Sequence, residues 1–307
     1  MNTGLKITAY AAVLAATFGT AYGVGKSADP VIGTAPQHAG QHSAQEKAKQ
    51  EEAGGDGHGG HQESAPARKG AAAGGLEISE GGYTLALGTP TVTAGERSEI
   101  RFAIKDDHGE NVTEFRREHG KELHFILASR DLTTFRHLHP VREADGTWST
   151  RVELPAAGGY RAFADFTPAG GRSTNHTLGA DLAVAGAFRP AKMPPARTVA
   201  ETDGYRIALD GGLRSGRAGE LALTVSKDGE PVTDLEPYLG AYGHLVALRS
   251  GDLAYLHVHP NEGGPGPEVS FTATAPSAGT YRLFLDFQHE DKVRTASFTV
   301  DVAAADH

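Results

Sequence analysis

The stretch GGYRAFADF at residues 158–166 returns, altered but recognisable, as GTYRLFLDF at residues 279–287. Other segments repeat at the same offset of 120 to 122 residues, for example GENVT at 109–113 against GEPVT at 229–233. An offset that holds along a whole unit is the mark of a tandem duplication. The chain therefore contains one kind of domain twice.

Each unit consists of short runs in which apolar residues alternate with polar ones, as at Ile100, Phe102 and Ile104. This period of two indicates β-strands, and no stretch offers the long 3.6-residue period of an amphipathic helix. Tyr160 and Tyr281 precede the penultimate strand, as does the tyrosine of an Ig-like tyrosine corner. We predict an all-β protein of two tandem Ig-like, Greek-key β-sandwich domains, with a cupredoxin-like Greek-key barrel as the alternative.

The region before the repeats differs in composition. After Lys6, residues 7–25 carry no charge, which predicts a hydrophobic helix that is either a signal peptide or a membrane anchor, with the rest of the chain outside the cytoplasm. The following Gly-, Gln-, Glu- and His-rich segment cannot bury enough apolar surface to fold and predicts a disordered tether. The expected divisions are a signal peptide or anchor at 1–25, a disordered His/Gly-rich tether at 26–75, sandwich repeat 1 at 76–186, a Pro-rich linker at 187–200 and sandwich repeat 2 at 201–304.

Composition excludes several functions. The chain has no Cys, which rules out disulfides, cysteine nucleophiles and thiolate zinc sites. Its formal net charge of −9 and the lack of a basic stripe argue against nucleic acid as a partner. We expect an extracytoplasmic protein of the cell envelope, either membrane-anchored through the N-terminal helix or secreted.

Three histidines recur at matching positions in the two units. The first lies in an apolar run and the other two form a His-x-His-Pro motif that begins 13 residues later; they are His124, His137 and His139 in repeat 1, and His244, His257 and His259 in repeat 2. A His-x-His pair on a strand points both rings to one face, and a hairpin turning near 130–131 or 251–252 would bring the first histidine across from them. Three converging imidazoles are ligands that zinc or copper accepts.

Further ligands are less determined by the pattern. Asp165 and Asp286 occupy the same place in both units and are candidate oxygen ligands, or acceptors that orient an imidazole. His289 is a candidate in repeat 2, although strict alternation turns it away from Asp286, and His176 could replace it in repeat 1. The alternative is that the Asp residues pair with neighbouring arginines and the histidines are structural. We expect His108, His119 and His307 on the surface.

The motifs of repeat 1, from LHF (123–125) through DL (131–132) and FRHLHP (135–140) to GYRAFADF (159–166), resemble a signature of uncharacterised exported actinobacterial tandem β-sandwich proteins. Those proteins are similar in architecture to periplasmic copper-resistance Ig-like domains, and this resemblance implies copper handling. The chain departs from copper carriers with Met-rich loops, because it has only two methionines. Imidazole ligands favour Cu(II), and zinc remains open.

The sequence thus predicts binding of Cu(II) or Zn(II) by histidine clusters, for metal buffering or for delivery to an envelope protein partner. The alternative is an Ig-like envelope interaction module that binds no metal. We expect no enzymatic activity, because the chain lacks the sequence motifs of serine hydrolases, zinc proteases and phosphate-binding loops.

Overall fold

The structure is a computed structural model that describes residues 74–170, 174–256 and 258–304. All of them belong to one compact unit that runs from Ser64 to His307. The predicted signal peptide or anchor and nearly all of the predicted tether lie outside the described residues. Among the described residues, none forms a helix long and apolar enough to cross a membrane.

Repeat 1 is a sandwich of two antiparallel-dominated sheets. Its outer sheet has the strand order β1-β2-β4-β9-β8 and its inner sheet the order β3-β11-β10-β6-β7, with β5 paired to β10. The strands are β1 (Ser79–Glu80), β2 (Tyr83–Leu87), β3 (Thr91–Thr93), β4 (Arg97–Lys105), β5 (Phe115–Arg116), β6 (Leu123–Ser129), β7 (Phe135–Leu138), β8 (Val141–Arg142), β9 (Thr147–Glu153), β10 (Gly158–Pro168) and β11 (His176–Ala185).

Repeat 2 has the same plan. Its outer sheet has the order β12-β13-β14-β19-β18, with β15 paired to β14, and its inner sheet the order β17-β16-β20-β21. The strands are β12 (Val199–Thr202), β13 (Tyr205–Gly211), β14 (Ala218–Lys227), β15 (Glu230–Pro231), β16 (His244–Arg249), β17 (Tyr255–Leu256), β18 (Val258–Pro260), β19 (Glu268–Thr274), β20 (Gly279–His289) and β21 (Lys292–Val302). The prediction of an all-β chain with two tandem Ig-like domains is confirmed.

The tyrosine corner is present in both copies. The hydroxyl of Tyr160 donates to the carbonyl of Ala156 at 2.9 Å, and that of Tyr281 donates to the carbonyl of Ser277 at 3.0 Å. Both rings are almost completely buried. Each bond satisfies a buried hydroxyl and ties the start of the penultimate strand to the loop before it.

The inner sheets of the two repeats pack against each other. Strands β6, β10, β16 and β20 are buried along nearly their whole length, because one face covers its own sandwich core and the other faces the second repeat. A separate apolar cluster fills this inter-repeat layer, and it contains Ile126, Ala128, Leu132, Phe135, Phe163, Val246, Leu248, Leu253, Tyr255 and Phe284. The strand pattern of the sequence therefore produces four stacked sheets rather than two independent sandwiches.

The inter-repeat layer has approximate two-fold symmetry. Phe135 of repeat 1 stacks on Phe284 of repeat 2 with ring centroids 4.1 Å apart. The equivalent residues of the other copies, Phe163 and Tyr255, also meet, at 5.7 Å. Such reciprocal contacts are the signature of an isologous interface, in which each partner uses the same surface. Because of this symmetry, equivalent ends of β10 and β20 approach the opposite repeat.

Candidate metal centre

Three imidazoles of repeat 1 converge at one edge of the inter-repeat layer. The hairpin of β6 and β7 pairs Ile126 with His137, so His124 on one strand faces the His-x-His motif on the other. Candidate ligand atoms of His124, His137 and His139 all lie within 4.8 Å of one another. The structure therefore brings together the triad that the 13-residue spacing predicts.

The hydrogen bonds around His124 and His137 fix which ring nitrogens carry hydrogen. His124 Nε2 lies 3.2 Å from the carbonyl oxygen of Glu118, and His137 Nδ1 lies 2.8 Å from Asp286 Oδ2. A carbonyl and an ionised carboxylate only accept, so both of these nitrogens are donors. In the neutral rings, the remaining nitrogens, His124 Nδ1 and His137 Nε2, then carry lone pairs. These two atoms are 3.0 Å apart.

His139 completes the group. Its Nδ1 lies 3.4 Å from the hydroxyl of Tyr238, which can accept a hydrogen as well as donate one. Its Nε2 is buried and, within the described part of the chain, has no hydrogen-bond partner. A buried nitrogen without a partner is rare in folded proteins and calls for an explanation such as a water or an ion.

Repeat 2 supplies the carboxylate of this site. Asp286 lies on β20 opposite His244, and its side chain is only 4% exposed. One oxygen accepts the hydrogen of His137 across the inter-repeat layer, and the other accepts from the Thr295 hydroxyl at 2.6 Å. Asp286 is thus the acceptor that orients an imidazole, but it orients one of the opposite repeat. The neighbouring Arg282 bonds to hydroxyl groups instead, which removes the simple Arg–Asp pairing for this residue.

Two more histidines border the triad. His244 Nε2 lies 2.8 Å from the carbonyl of Tyr238, an arrangement that repeats the bond from His124 to the carbonyl of Glu118. In each repeat that carbonyl belongs to a tight turn, and in repeat 1 the turn contains His119 with a φ of 49°. The ring of His119 lies 5.1 Å from that of His244 and 6.2 Å from that of His124. His119 is exposed as expected, yet it stands at the rim of the cluster.

Burial makes these imidazoles poor bases. It lowers the pKa of His124 to about 3, with a further contribution from His137, and lowers the pKa of His139 to about 3 in the same way. The pKa of His244 falls to about 4, again mainly through burial. Neutral imidazole is the form that ligates metal, so these rings stay in the ligating form across the physiological pH range.

The triad opens into a cavity of about 430 Å³ between the repeats. Asp165 lines it and accepts a hydrogen bond from the side-chain amide of Asn175 at 2.6 Å. Tyr255 of repeat 2 also lines the cavity, and burial followed by the nearby Asp165 raises its pKa. Both aspartates of the sequence prediction therefore lie beside the histidines, and both interact with the opposite repeat.

His289 is not part of this group. Its inclusion among the candidate ligands was wrong, because its ring lies away from the other histidines. Its Nδ1 lies 2.7 Å from the Tyr205 hydroxyl and its Nε2 lies 3.1 Å from Asp234, on the face of β20 opposite to Asp286. Strict strand alternation is the physical reason. His176 also lies elsewhere, since its ring packs against Tyr83 and Phe166.

The expectation of a second site, in repeat 2, rests partly on residues that the structure does not describe. In repeat 2 the inner strand β17 ends at Leu256, and β18, which carries His259, pairs with β19 of the outer sheet. Val258 therefore pairs with the outer sheet, whereas its equivalent in repeat 1, Leu138, pairs with Phe125 of the inner sheet. His257 and the side chain of His259 lie outside the described residues. What the described residues show is one cluster, to which repeat 1 gives the triad and repeat 2 gives His244 and Asp286.

The donor set fits a transition metal ion. Nitrogen ligands of one tetrahedral zinc ion at about 2.0–2.1 Å lie about 3.4 Å apart, so the triad, whose ligand atoms lie within 4.8 Å of one another, would need to contract by at most about 1.4 Å. The nitrogens of His124 and His137 that carry the lone pairs already face each other. Three imidazoles with Asp286 behind one of them is also the usual arrangement of ligands and supporting carboxylate in protein zinc sites.

The solved structures to which this chain is similar include three bacterial proteins, all of low sequence identity and low TM-score. The adhesin FdeC of Escherichia coli is 18% identical, with 74% of this chain and 65% of the adhesin covered and a TM-score of 0.26. Invasin, a bacterial integrin-binding protein, is 11% identical, with 73% and 39% covered and a TM-score of 0.23. A DUF4426 family protein of Pseudomonas aeruginosa is 10% identical, with 35% and 95% covered and a TM-score of 0.27. The chain spans less than two thirds of the length of the FdeC structure that it matches.

No curated protein matches the sequence. One domain family does, and it matches twice, over residues 77–182 and again over residues 200–304. The two matches coincide with the two sandwiches and together cover more than half of the chain. This chain therefore belongs to the family described as domain of unknown function DUF8832.

Proposed function

We propose that this protein binds a transition metal ion, Cu(II) or Zn(II), between its two repeats, outside the cytoplasm. His124, His137 and His139 are the proposed ligands, and Asp286 orients His137. The observation that carries the proposal is the 3.0 Å approach of His124 Nδ1 to His137 Nε2. With the other nitrogen of each ring donating to Glu118 or Asp286, two lone pairs face each other, and this arrangement repels unless a cation or a proton lies between them.

His124 does not supply a proton for that place at neutral pH. Burial lowers the pKa of His124 to about 3, and the pKa of His139 is lowered equally. A metal ion accepts both lone pairs and the buried Nε2 of His139 at once. When bound, the ion would offset the negative charge of Asp286, and it would cross-link β6 and β7 of repeat 1. Asp286 and His244 would extend this effect to repeat 2.

The proposed role is capture and buffering of the metal, or its delivery to an envelope protein. It involves no catalysis, in keeping with the lack of recognised catalytic motifs in the sequence. The resemblance of the FRHLHP and GYRAFADF motifs to exported proteins related to copper-resistance domains supports copper as the ion. Imidazole nitrogens favour Cu(II) and equally suit Zn(II).

The test is metal titration of the full chain, purified without a His-tag or metal column and stripped with chelator. We expect the wild type to bind one equivalent of Cu(II) or Zn(II) more than the His139→Gln variant does. The difference is the readout because other histidines, including those of residues 26–75, remain in both proteins. His108→Gln is the matched control, since His108 is highly exposed and remote from the triad. Equal stoichiometry and affinity in wild type and His139→Gln would refute the proposal.

Spectroscopy identifies the ligands directly. With Cu(II), the extra equivalent should show electron paramagnetic resonance couplings to several imidazole nitrogens, and His137→Ala combined with His139→Ala should remove them. If no such species forms, the remaining candidate is an Ig-like envelope interaction module that binds no metal. The adhesin-type neighbours agree with that alternative, although their similarity concerns the fold alone.

A further inference from the structure

A second site lies around Arg282, on the same face of β20 as Asp286 but four residues earlier along the strand. This arginine is only 7% exposed. It lines a cavity of about 650 Å³ whose other walls come from the linker and strand at 194–201 and from 297–299 of β21. Its Nη1 donates to Thr299 Oγ1 at 2.9 Å and its Nη2 donates to Ser297 Oγ at 2.7 Å. The buried Nε has no hydrogen-bond partner among the described residues.

The equivalent arginine of repeat 1 is fully satisfied. Arg161 forms an ion pair with Asp181 at 2.9 Å. Its remaining nitrogens donate to backbone carbonyl oxygens, which belong to Gly75, Leu76 and Gly179. The same buried side chain is therefore compensated in one copy of the repeat and left without a carboxylate in the other.

Strand register shows which substitutions make the difference. Arg161 pairs with Asp181 on β11, and Arg282 pairs with Thr299 on β21, so a hydroxyl stands where repeat 1 has the carboxylate. Two residues earlier, Ser297 occupies the place of Gly179. A Cβ at Gly179 would lie 2.6 Å from Arg161 Nε, which shows how closely repeat 1 encloses its arginine. Repeat 2 has replaced a closed ion pair by hydroxyl groups and an adjacent cavity.

A buried guanidinium without a counter-charge is costly. Arginine does not give up its proton in proteins, so it cannot become neutral as a buried lysine can. In the described part of the chain Arg282 forms no ion pair, and burial alone lowers its pKa. The ring of Phe284, whose centroid lies 5.8 Å from the guanidinium carbon, is a cation–π partner. An anion bound beside the guanidinium would supply the missing charge.

We propose that the Arg282 cavity binds a small oxyanion, either a carboxylate or a phosphate. The two oxygens of such a group match the planar N–H edge of a guanidinium, and Ser297, Thr299 and Thr198 place hydroxyl groups around it. Arg197 adds a second positive charge to the wall, while Glu201 is the acidic residue that also borders the cavity. The net charge of −9 disfavours unspecific anion binding, so binding here depends on the local cation.

The experiment titrates sodium phosphate or sodium acetate into the metal-free full chain, at constant ionic strength held with chloride, and follows heat or melting temperature. The two anions separate a phosphate site from a carboxylate site. We expect saturable binding of at least one of them. Arg282→Gln should weaken it by about 10- to 100-fold, the loss of one or two charge-assisted hydrogen bonds. Arg206→Gln, on an exposed arginine of β13, is the control and should bind as the wild type does.

The decisive variant is Thr299→Asp, which gives repeat 2 the carboxylate of repeat 1. It should melt at a higher temperature than the wild type in chloride alone and should no longer bind the anion. Strand content measured by circular dichroism checks that the variant is folded. Absence of saturable binding of both anions to the wild type, or unchanged binding to Arg282→Gln, would overturn the proposal. Anion binding should persist in His139→Gln, so this result is independent of the metal site.

Discussion

Repeat 1 and repeat 2 share their strand order, their tyrosine corners and their mode of packing, but they differ where the inner sheets face each other. Repeat 1 contributes the imidazole triad and a closed Arg161–Asp181 pair. Repeat 2 contributes Asp286 to the triad and keeps Arg282 without a carboxylate. The backbone pairing that defines the fold and the histidine and aspartate positions of the site are the same in the two sequences, while the residue opposite the buried arginine has changed from Asp181 to Thr299. The difference therefore singles out the surroundings of Arg282 as a feature of repeat 2 alone.

Acidification should produce the largest change in the free energy of unfolding, and the two repeats should contribute to it unequally. The lowered pKa values of His124, His139 and His244 mean that the unfolded chain binds more protons below its ordinary histidine pKa of 6.5. Stability is therefore complete above about pH 6.5 and is lost as the pH falls toward the folded-state values. We expect the metal-free protein to lose roughly 4 kcal/mol of unfolding free energy between about pH 7 and pH 5, after allowance for solvent screening.

Denaturant titrations at several pH values measure this loss. Two of these three histidines belong to repeat 1, so His124→Gln combined with His139→Gln should flatten the pH dependence more than His244→Gln does. His108→Gln should leave the slope unchanged because that side chain is highly exposed. A wild-type stability that is constant from pH 7 to pH 5 would contradict the burial of these rings.

The next largest effect should come from removing the two equivalent arginines. Arg161→Met removes an ion pair and leaves three backbone carbonyls without their donor, which should cost about 3 kcal/mol. Arg282→Met removes an uncompensated buried charge and keeps the apolar stem, so in chloride it should change stability by less than about 1 kcal/mol. Urea unfolding of both variants measures the difference. Equal losses would show that Arg282 is satisfied as completely as Arg161.

The sequence predicts the strands, the duplication and the hairpin that gathers His124, His137 and His139, because these follow from local periodicity and spacing. It does not predict the pairing of the inner sheets. The apolar run at 123–128 indicates a strand buried on both faces, but it cannot tell which surface covers the second face. The bond from His137 to Asp286, which spans 149 positions in the chain, depends on that pairing and was therefore missed.

Two other differences have local causes. His119 was expected on the surface and is exposed, but its left-handed turn with Gly120 also brings its ring near His244. A residue followed by Gly at the same place in both units, His119-Gly120 and Leu239-Gly240, is the sequence signal for that turn. His289 was included although alternation had already turned it away from Asp286. The periodicity was the better guide there.

A smaller effect should come from the two aspartates. Asp286→Asn should weaken metal binding by about 10- to 100-fold, because a neutral amide oxygen accepts the hydrogen of His137 Nδ1 less strongly than a carboxylate and makes the imidazole a weaker ligand. Asp165→Asn should weaken it less, since Asp286 accepts the hydrogen of His137 directly, while Asp165 is an acceptor for Asn175. Competition titration against a chelator of known affinity ranks the two variants. The reverse order would place the metal nearer to Asp165.

The smallest change in stability should come from the tyrosine corners, which are the same in both repeats. Tyr160→Phe and Tyr281→Phe each remove one hydroxyl bond to a carbonyl four residues earlier and should each cost about 1 kcal/mol. Melting curves of the two variants should shift by similar amounts. A clearly larger loss of melting temperature in one variant would show that the two tyrosine corners do not contribute equally to stability.

The reciprocal contacts between the inner sheets have a genetic consequence. A surface that fits a copy of itself allows a single domain to form a homodimer, but every mutation then appears on both sides of the symmetry axis. Once the two copies are joined in one polypeptide, each can change alone while its partner stays tethered at high effective concentration. An acidic residue can be lost opposite one arginine and kept opposite the other, as Thr299 and Asp181 illustrate. Fusion is what permits a symmetric scaffold to acquire an asymmetric chemistry.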